Sequence, residues 1–271
     1  MSTDLVGLVA LVTGGSRGIG EGAALALAAQ GAALAVHGLD EVEAESVAAR
    51  IRARGGQAIA VGGPIEDPTT SKDAVTATVA EFGRLDVLVT SAGIQRYGDA
   101  VSTTEAEWDQ VLGVNAKGVY LVTHEALPHI RKSPAGSVVI VASVQGSAAQ
   151  ANVVAYAASK GALLAMARAM AIDEAAFGIR VNTVSPGSVD TPMLREAAAR
   201  WSDGSPDGVT RTIAEWGSAH ALGRVATVGE VGEVIAFLAG TRASFVTGAD
   251  IRVDGGLLAR IAAALPQKQD Q

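Results

Sequence analysis

Short apolar runs alternate with helix-periodic stretches along almost the whole chain. Continuous apolar runs of four to six residues are typical of strands buried on both faces of a sheet. The predicted strands cover 8–13, 34–37, 58–61, 86–90, 138–142, 180–184 and 251–253. The predicted helices cover 21–30, 41–54, 70–82 and 154–177. About seven alternations predict an α/β fold, a doubly wound and mostly parallel sheet of seven strands with helices on both faces.

Two polar motifs predict helix starts. Ser102 and Glu105 have the spacing of a capping box, and so have Thr227 and Glu230. In such a box the side chains of the first and fourth residues bind each other's backbone N–H groups. The first box should begin a helix that carries Trp108 on its core face and also carries Asn115, and the second a helix that runs through Leu238.

No linker, repeat or low-complexity block divides the sequence. Residues 1–271 are therefore predicted to form a single domain. The least regular part lies within 190–223 and reads as an insertion between the sixth strand and the final unit. The segment 257–271 begins apolar and ends polar, which predicts a C-terminal tail.

Composition and charge exclude several classes of protein. The chain has 271 residues, of which 49% are apolar and 18% charged, with no Cys. A disordered chain would be more charged, and a disulfide scaffold or thiolate metal site needs cysteine. The net charge of −7 argues against a nucleic-acid partner. The four His are scattered, so we expect no metal site.

The sequence contains no run of about 18 uncharged apolar residues, so no membrane partner is expected. The N-terminus lacks the basic region of a signal peptide. With no targeting segment and no cysteine, the predicted location is cytoplasmic.

The first strand runs directly into a glycine-rich turn. Gly14, Gly18 and Gly20 precede a predicted helix. Glycines allow the backbone to turn tightly against a pyrophosphate, and the free amides at a helix start favour its negative charge. The pattern predicts a dinucleotide site, although a tight turn without a ligand has the same spacing.

Tyr156 and Lys160 are four residues apart on a predicted helix and share one face. A free tyrosine has a pKa of about 10, and lowering it by about three units requires about 4 kcal/mol. A cation about 4 Å away supplies roughly that amount. The pair therefore predicts a proton-exchanging tyrosine, although a packed tyrosine beside a solvated lysine fits the same spacing. Ser143 follows the fifth predicted strand, where open α/β sheets bind their ligands.

These motifs occur in the order and spacing of a known family. Residues 5–257 resemble the short-chain dehydrogenase/reductases, in their single-domain branch of about 250 residues. The resemblance rests on the loop 13–20, Asn115, Ser143, the Tyr156/Lys160 pair, the segment 182–191 and the closing motif 253–256. It implies a Rossmann-like fold, a homotetramer and an NAD(P)-dependent oxidoreductase that interconverts a secondary alcohol and a ketone.

The resemblance also implies residue roles. Tyr156 would be the general acid/base, and Lys160 would lower its pKa and bind the nicotinamide ribose. Ser143 would bind the substrate oxygen, and Asn115 would hold a water linked to Lys160. The implied cofactor-binding residues are Gly14, Ser16, Arg17, Gly18, Ile19, Gly20, His37, Ile65, Ser91, Ala92, Gly93, Tyr156, Lys160, Pro186, Gly187, Val189 and Thr191.

The sequence departs from the family pattern at three positions. Ser91 stands where the family usually has Asn, and Pro64 where it usually has Asp, so backbone groups of Ile65 would have to contact the adenine instead. Gly38 occupies the position of the acid with which NAD users bind ribose. An acid at this position would repel the 2′-phosphate of NADP. Since none is present, the sequence favours NADP over NAD.

The family places a substrate lid in the segment 190–223. Side chains that could line a substrate pocket, or merely pack, are Trp201, Trp216, His220, Gln95, Arg96, Gln145, Asn152 and Met193. The substrate is expected to be a small alcohol or ketone: a 3-oxoacyl thioester, a sugar or polyol, or a steroid-like or cyclic alcohol. Ser91 and Pro64 also admit a non-catalytic NAD(P)-binding sensor or scaffold, against which the complete catalytic set argues.

Overall fold

The computed structural model describes residues 4–260, and its seven strands lie in one sheet. The strands are β1 (Val9–Thr13), β2 (Ala33–Gly38), β3 (Ala58–Gly62), β4 (Val87–Thr90), β5 (Ser137–Val141), β6 (Arg180–Pro186) and β7 (Asp250–Val253). Their order is β3-β2-β1-β4-β5-β6-β7, and every neighbouring pair is parallel. The predicted fold is confirmed, and the sheet is wholly parallel. The strand order reverses between β1 and β4, where such sheets bind ligands.

Helices cover both faces of the sheet. They are α1 (Gly18–Ala29), α2 (Glu41–Ala53), α3 (Pro68–Phe82), α4 (Glu105–Leu112), α5 (Gly118–Ile130), α6 (Val154–Glu174), α7 (Pro192–Arg200), α8 (Pro206–Ser218) and α9 (Val228–Ala239). One apolar core joins the sheet to α1, α2 and α9. A second core joins the opposite face to α3, α5 and α6. Because Ala, Val, Leu and Ile fill both cores, the helices can approach the sheet closely. None of the helices within 4–260 is long and apolar enough to cross a membrane.

The capping box at α4 lies two residues later than predicted. Thr104 and Glu107 cap each other's backbone N–H groups, so the assignment to Ser102 and Glu105 is wrong. The carboxylate of Asp99 accepts bonds from both the backbone N–H and the hydroxyl of Ser102, which holds Ser102 in the preceding turn. The box formed by Thr227 and Glu230 is confirmed at the start of α9.

The helix predicted to carry both Trp108 and Asn115 is interrupted. A π-helical turn, Gly113–Lys117, separates α4 from α5 and carries Asn115, which is fully buried. Such turns are frequent at functional sites because they re-aim one side chain. Trp108 is 39% exposed, so its predicted place on the core face is wrong.

The segment 190–223 is more regular than predicted. It contains α7 and α8, each with a proline in its first turn and a hydroxyl side chain, Thr191 or Ser205, as N-cap. These are ordinary helix-start signals, so the sequence contained the information needed to find both helices. After β7 the chain forms a short 3₁₀ turn, Leu257–Ala259. Most of the predicted tail, residues 261–271, lies outside the described residues.

Candidate active site

A cavity of about 440 Å³ lies at the carboxyl ends of the central strands. Ser143 and Tyr156 line it from one side. Ile19, Pro186, Gly187, Val189 and Thr191, all predicted cofactor residues, also line it. The structure therefore brings the predicted catalytic pair and the segment after β6 to one crevice, at the position that the strand order favours.

The glycine turn after β1 is packed against the chain that follows β4. Gly14 has φ +63°, and a Cβ there would lie 2.6 Å from the backbone N of Ala92. A Cβ on Gly20 would lie 2.1 Å from the carbonyl oxygen of Gly14. The backbone of Ser91 donates to the carbonyl of Thr13 at 3.0 Å. Only glycine fits at these two positions, because the neighbouring backbone already fills the place of a side chain.

The turn leads into the N-terminus of α1. Arg17 is the N-cap residue, its side chain is exposed, and no side chain in the part of the chain that the structure describes caps these N–H groups. The site of a Cβ on Gly18 lies 3.4 Å from the methyl of Thr191. Free amides, a positive helix end and closely packed loops fit the pyrophosphate of a dinucleotide.

Ser16 fills the place where a side chain at position 38 would lie. A Cβ on Gly38 would be 2.8 Å from both Cβ and Oγ of Ser16. The Oγ of Ser16 donates to the carboxylate of Glu43 at 3.4 Å. An acidic group is therefore present at this turn, but it comes from α2 and not from the end of β2.

Two predicted cofactor residues are already engaged within the protein. His37 is buried, its Nε2 donates to the carbonyl of Gly63 at 3.1 Å, and its own carbonyl accepts from Gly15. Burial lowers the pKa of His37, so its ring is neutral. Ile65 is buried in the apolar core, and its carbonyl accepts from the hydroxyl of Ser71. Both residues support the loops behind the crevice.

Tyr156, on the first turn of α6, is only 9% exposed and lies close to Ser143. Burial raises the pKa of Tyr156 to about 12, and the hydroxyl of Ser143 opposes this rise. The Oγ of Ser143 accepts from the backbone N–H of Gln145 at 3.1 Å. Since that bond uses an acceptor site of Ser143, its own O–H stays free to donate.

Lys160 lies one helical turn beyond Tyr156 and is 4% exposed. Its Nζ is 5.6 Å from the centroid of the Tyr156 ring and donates to the carbonyl of Val141 at 2.9 Å. Burial lowers the pKa of Lys160 to about 8. The bond to Val141 uses one of three N–H groups, and two stay available for a ligand.

Asn115 connects the chain after β4 to α6. Its Oδ1 accepts from the backbone N–H of Ile94 at 2.8 Å, and its Nδ2 donates to the carbonyl of Ile94 and to the hydroxyl of Ser159. A Cβ on Gly93 would lie 3.4 Å from Oδ1 of Asn115 and 3.7 Å from Nζ of Lys160. The amide side chain of Asn115 thus holds the loop over Lys160.

The outer wall of the cavity is largely aromatic and aliphatic. Trp201 packs edge-on to Tyr97 with ring centroids 5.9 Å apart, and the guanidinium of Arg200 lies 5.1 Å from the Tyr97 ring. Among the described lining residues, none is Asp, Glu, Lys or Arg. Of the predicted pocket residues, the cavity is lined by Gln95, Gln145, Met193, Trp201, Trp216 and His220.

The other two predicted pocket residues, Arg96 and Asn152, do not line the cavity. Arg96 instead binds Gln110 and the carbonyl of Gln95. Sequence reasoning missed Tyr97, Leu257 and Leu258, which do line the cavity. Tyr97 lies four residues after Gly93, a predicted cofactor residue, and this proximity could have predicted its place in the cavity. No local pattern marks Leu257 and Leu258, because only the folded sheet returns the end of the chain to this edge.

Comparison with known proteins gives consistent matches. Residues 14–258 match a family model described as enoyl-(acyl carrier protein) reductase. The chain is 38% identical to L-fucose dehydrogenase of Bos taurus over 260 residues, covering 94% of this chain and 91% of the relative. It is also 38% identical to cis-4-hydroxycyclohexanecarboxylate dehydrogenase of Sinomonas cyclohexanicum over 252 residues, covering 93% and 96%. The ligand-free structure of Thermoplasma acidophilum aldohexose dehydrogenase superposes with a TM-score of 0.91 at 32% identity, covering 98% of this chain and 100% of that one.

Proposed function

The chain belongs to the short-chain dehydrogenase/reductase family of NAD(P)-dependent enzymes and is a dehydrogenase acting on CH–OH groups, and we propose that it interconverts a secondary alcohol and a ketone with Tyr156 as general acid/base. One observation carries this proposal. The hydroxyl groups of Ser143 and Tyr156 lie close together in one cavity beside the glycine turn, with Lys160 buried behind them.

The nicotinamide, when bound, supplies or accepts the hydride. Ser143 donates its free O–H to the substrate oxygen and so stabilises the charge that develops there. Tyr156 is neutral at physiological pH, as any tyrosine with a pKa of about 10 is, and burial strengthens this preference by raising its pKa to about 12. A neutral tyrosine is a proton donor, which suits reduction of a ketone. For alcohol oxidation Tyr156 must lose its proton, and the positive charge of Lys160 favours that state.

Lys160 and Asn115 have supporting roles in this proton transfer: Lys160 binds the cofactor, and Asn115 holds the loop and α6 in place. Lys160 is anchored by Val141 and keeps two N–H groups for ribose hydroxyls. The amide of Asn115 is occupied by Ile94 and Ser159. If Asn115 holds a water linked to Lys160, we propose that its backbone carbonyl does so. Its side chain keeps α6 in register with the loop that ends at Gly93.

The choice of cofactor turns on Glu43. The absence of an acid at Gly38 favours NADP, but the carboxylate of Glu43 lies 3.4 Å from Ser16, where an acid at position 38 would have pointed. A negative charge there repels a 2′-phosphate and accepts hydrogen bonds from ribose hydroxyls. We therefore propose that both cofactors can enter and that NAD binds more tightly than NADP.

The cavity supports a neutral, ring-shaped substrate. Its described lining residues carry no formal charge, and the aromatic residues Tyr97, Trp201 and Trp216 are among them. Flat aromatic faces pack well against cyclic alcohols and sugar rings. Two of the relatives named above are dehydrogenases of sugars and one of a hydroxycyclohexanecarboxylate, so all three names indicate a ring, and the two sugars are neutral. A cyclic secondary alcohol, with or without further hydroxyl groups, is the proposed class.

Exposed apolar side chains support the expected homotetramer. Trp108 on α4, Tyr120 on α5 and Ile172 on α6 are 39%, 50% and 79% exposed, and Phe245, before β7, is fully exposed. The family commonly forms tetramers through the helix that bears Asn115, the helix that bears Tyr156 and the last strand. In this chain α4 and α5 flank Asn115, α6 carries Tyr156, and Phe245 lies close in sequence to β7. We propose that a second and third copy cover them. Light scattering should give a tetramer, and a monomer would contradict this.

The function is tested by titrating the protein with NADH and with NADPH, followed by turnover. Panels of cyclic alcohols and ketones, sugars and acyl thioesters are then assayed with the tighter cofactor. Saturable cofactor binding and turnover of a cyclic alcohol or ketone are expected. Binding without turnover of any member of the panel would favour the sensor or scaffold, and no binding of either cofactor would overturn the proposal.

A further inference from the structure

The imidazole of His220 lies at the junction of three segments around the cavity. It follows the end of α8, is 2% exposed and lines the cavity. A Cβ on Gly187, in the loop after β6, would lie 2.8 Å from its Nε2. A Cβ on Gly255, in the turn after β7, would lie 3.4 Å from its Cβ. Both neighbours are glycines, so the ring fits closely between the loops.

Two hydrogen bonds fix the protonation of this ring. The backbone N–H of Ser188 donates to Nε2 at 3.1 Å, and Nδ1 lies 3.1 Å from the carbonyl oxygen of Trp216. An amide nitrogen can only donate here, and a carbonyl can only accept. Nε2 must therefore be unprotonated and Nδ1 must carry the hydrogen. Only the neutral ring satisfies both partners.

The two partners belong to different parts of the site. Ser188 lies between Gly187 and Val189, in the segment proposed to contact the cofactor. Trp216 belongs to α8, and its side chain forms part of the substrate wall. Ser188 is bound further by Ala226, whose N–H donates to the Ser188 carbonyl at 2.9 Å. The Ser188 N–H thus depends on the ring, while its carbonyl is held independently.

We propose that neutral His220 is a positioning residue that holds the cofactor loop and α8 together at the cavity, and that protonation of its ring releases the loop. A protonated ring would place an N–H opposite the N–H of Ser188, and neither group could accept. The functional consequence rests on the proposed function, since it assumes that the loop contacts NAD(P) and that α8 contacts the substrate. The hydrogen bonds of His220 do not depend on that assumption.

Charged and titratable groups surround the ring on several elements. Asp254 lies in the turn after β7, and its two carboxylate oxygens accept hydrogen bonds from the backbone N–H groups of Gly256 and Leu258. The other charged or titratable groups on these elements include Tyr156 across the cavity, the pair of Asp190 with Arg195, the pair of Arg224 with Glu230, and Arg260. They also include Glu196 and Arg200 on α7, Asp207, Arg211 and Glu215 on α8, and Asp250 and Arg252 on β7. The variants must therefore separate His220 from these other titrations.

The first experiment measures the affinities for NADH and NADPH between pH 5.5 and 8 in the wild type, His220→Gln, His220→Phe and the control His129→Gln. The wild type and the control should lose about five- to tenfold in affinity toward acid pH, the effect of one lost hydrogen bond. His220→Gln should keep a flat profile, because its side-chain oxygen accepts from Ser188 without titrating. His220→Phe should bind weakly at every pH.

The second experiment follows the Ser188 amide directly by hydrogen exchange without any ligand, corrected for the intrinsic dependence of exchange on pH. Protection in the wild type should fall toward acid pH and should be low throughout in His220→Phe. The same acid-dependent loss in His220→Gln, or wild-type protection in His220→Phe, would overturn the inference. If neither cofactor binds but protection behaves as described, the proposed function fails and the role of His220 in holding the loop survives.

Discussion

The ammonium group of Lys160 lies 5.6 Å from the centre of the Tyr156 ring, and both side chains are buried on one face of α6. Burial favours the neutral form of both side chains, so it raises the pKa of Tyr156 to about 12 and lowers the pKa of Lys160 to about 8. At neutral pH Tyr156 is uncharged in the folded and the unfolded chain, so the cost to the fold comes from the buried charge of Lys160. Such a cost is common where a protein keeps polar groups ready for a reaction.

Replacing Tyr156 with phenylalanine removes the proposed proton donor and leaves the ring in place. We expect turnover to fall by about 10²- to 10⁴-fold, the usual contribution of general acid–base catalysis, while NAD(P)H still binds with an affinity lowered by about tenfold at most, the effect of one lost hydrogen bond. Steady-state kinetics and a fluorescence titration measure the two quantities. Tyr120→Phe makes the same chemical change on α5, outside the cavity, and should keep wild-type turnover. Wild-type turnover in Tyr156→Phe would refute the mechanism.

Lys160→Met should stabilise the fold at neutral pH. Because the pKa of Lys160 is about 8 in the folded protein and 10.5 ordinarily, the buried charge costs about 3 kcal/mol below pH 8. That cost disappears as pH rises from 8 to 10.5, where the unfolded chain also loses its proton. Loss of the hydrogen bond to Val141 lowers the free energy of unfolding by about 1 kcal/mol. A net increase in the free energy of unfolding of about 2 kcal/mol is therefore expected at pH 7.

Urea unfolding at pH 7 and pH 10.5 measures this difference. The gain should vanish at the higher pH, and turnover should be lost at both. Lys72→Met, on the exposed face of α3, removes a charge that stays in water and should change stability little at either pH. A Lys160→Met protein that is less stable than the wild type at pH 7 would show that the buried charge is compensated.

Glu43→Gln should shift the cofactor preference toward NADPH. Removing the charge beside Ser16 relieves repulsion of a 2′-phosphate and weakens a hydrogen-bond acceptor for ribose. We expect the ratio of NADPH to NADH affinity to rise about tenfold, measured by parallel titrations. Glu45→Gln lies on the same helix but pairs with Arg52, and it should leave the ratio unchanged. An unchanged ratio in Glu43→Gln would show that the 2′ position of the cofactor's ribose does not lie near Glu43.

Gly20→Ala should open the phosphate-binding turn. The added methyl would lie 2.1 Å from the carbonyl oxygen of Gly14, so the turn must move. We expect NADH affinity to fall more than tenfold and stability to fall by about 1–3 kcal/mol. Gly161→Ala on α6 meets only the Gly146 carbonyl oxygen at 3.5 Å and should stabilise its helix slightly. Unchanged cofactor binding in Gly20→Ala would show that this turn does not contact the cofactor.

The sequence predicted the parts of the site that depend on local spacing. The glycine turn, the Tyr156/Lys160 face and the capping box of Thr227 and Glu230 are each defined within a few residues. It failed where two nearby signals competed, as at Ser102 and Thr104, because the choice depended on a contact of Asp99 with Ser102. It also missed α7 and α8, whose prolines and caps were overlooked among glycines and polar residues.

By itself the sequence determined the order of strands and helices, the glycine turn and the set of reactive side chains, because these follow from apolar periodicity and short-range geometry. The tertiary structure alone decided which distant groups meet. It placed the Glu43 carboxylate beside Ser16, the His220 ring between Ser188 and Trp216, and Leu257 and Leu258 at the wall of the cavity. The physical reason is that a parallel sheet brings the carboxyl ends of strands that are far apart in the chain to one edge, and no local pattern records which side chains will face each other there.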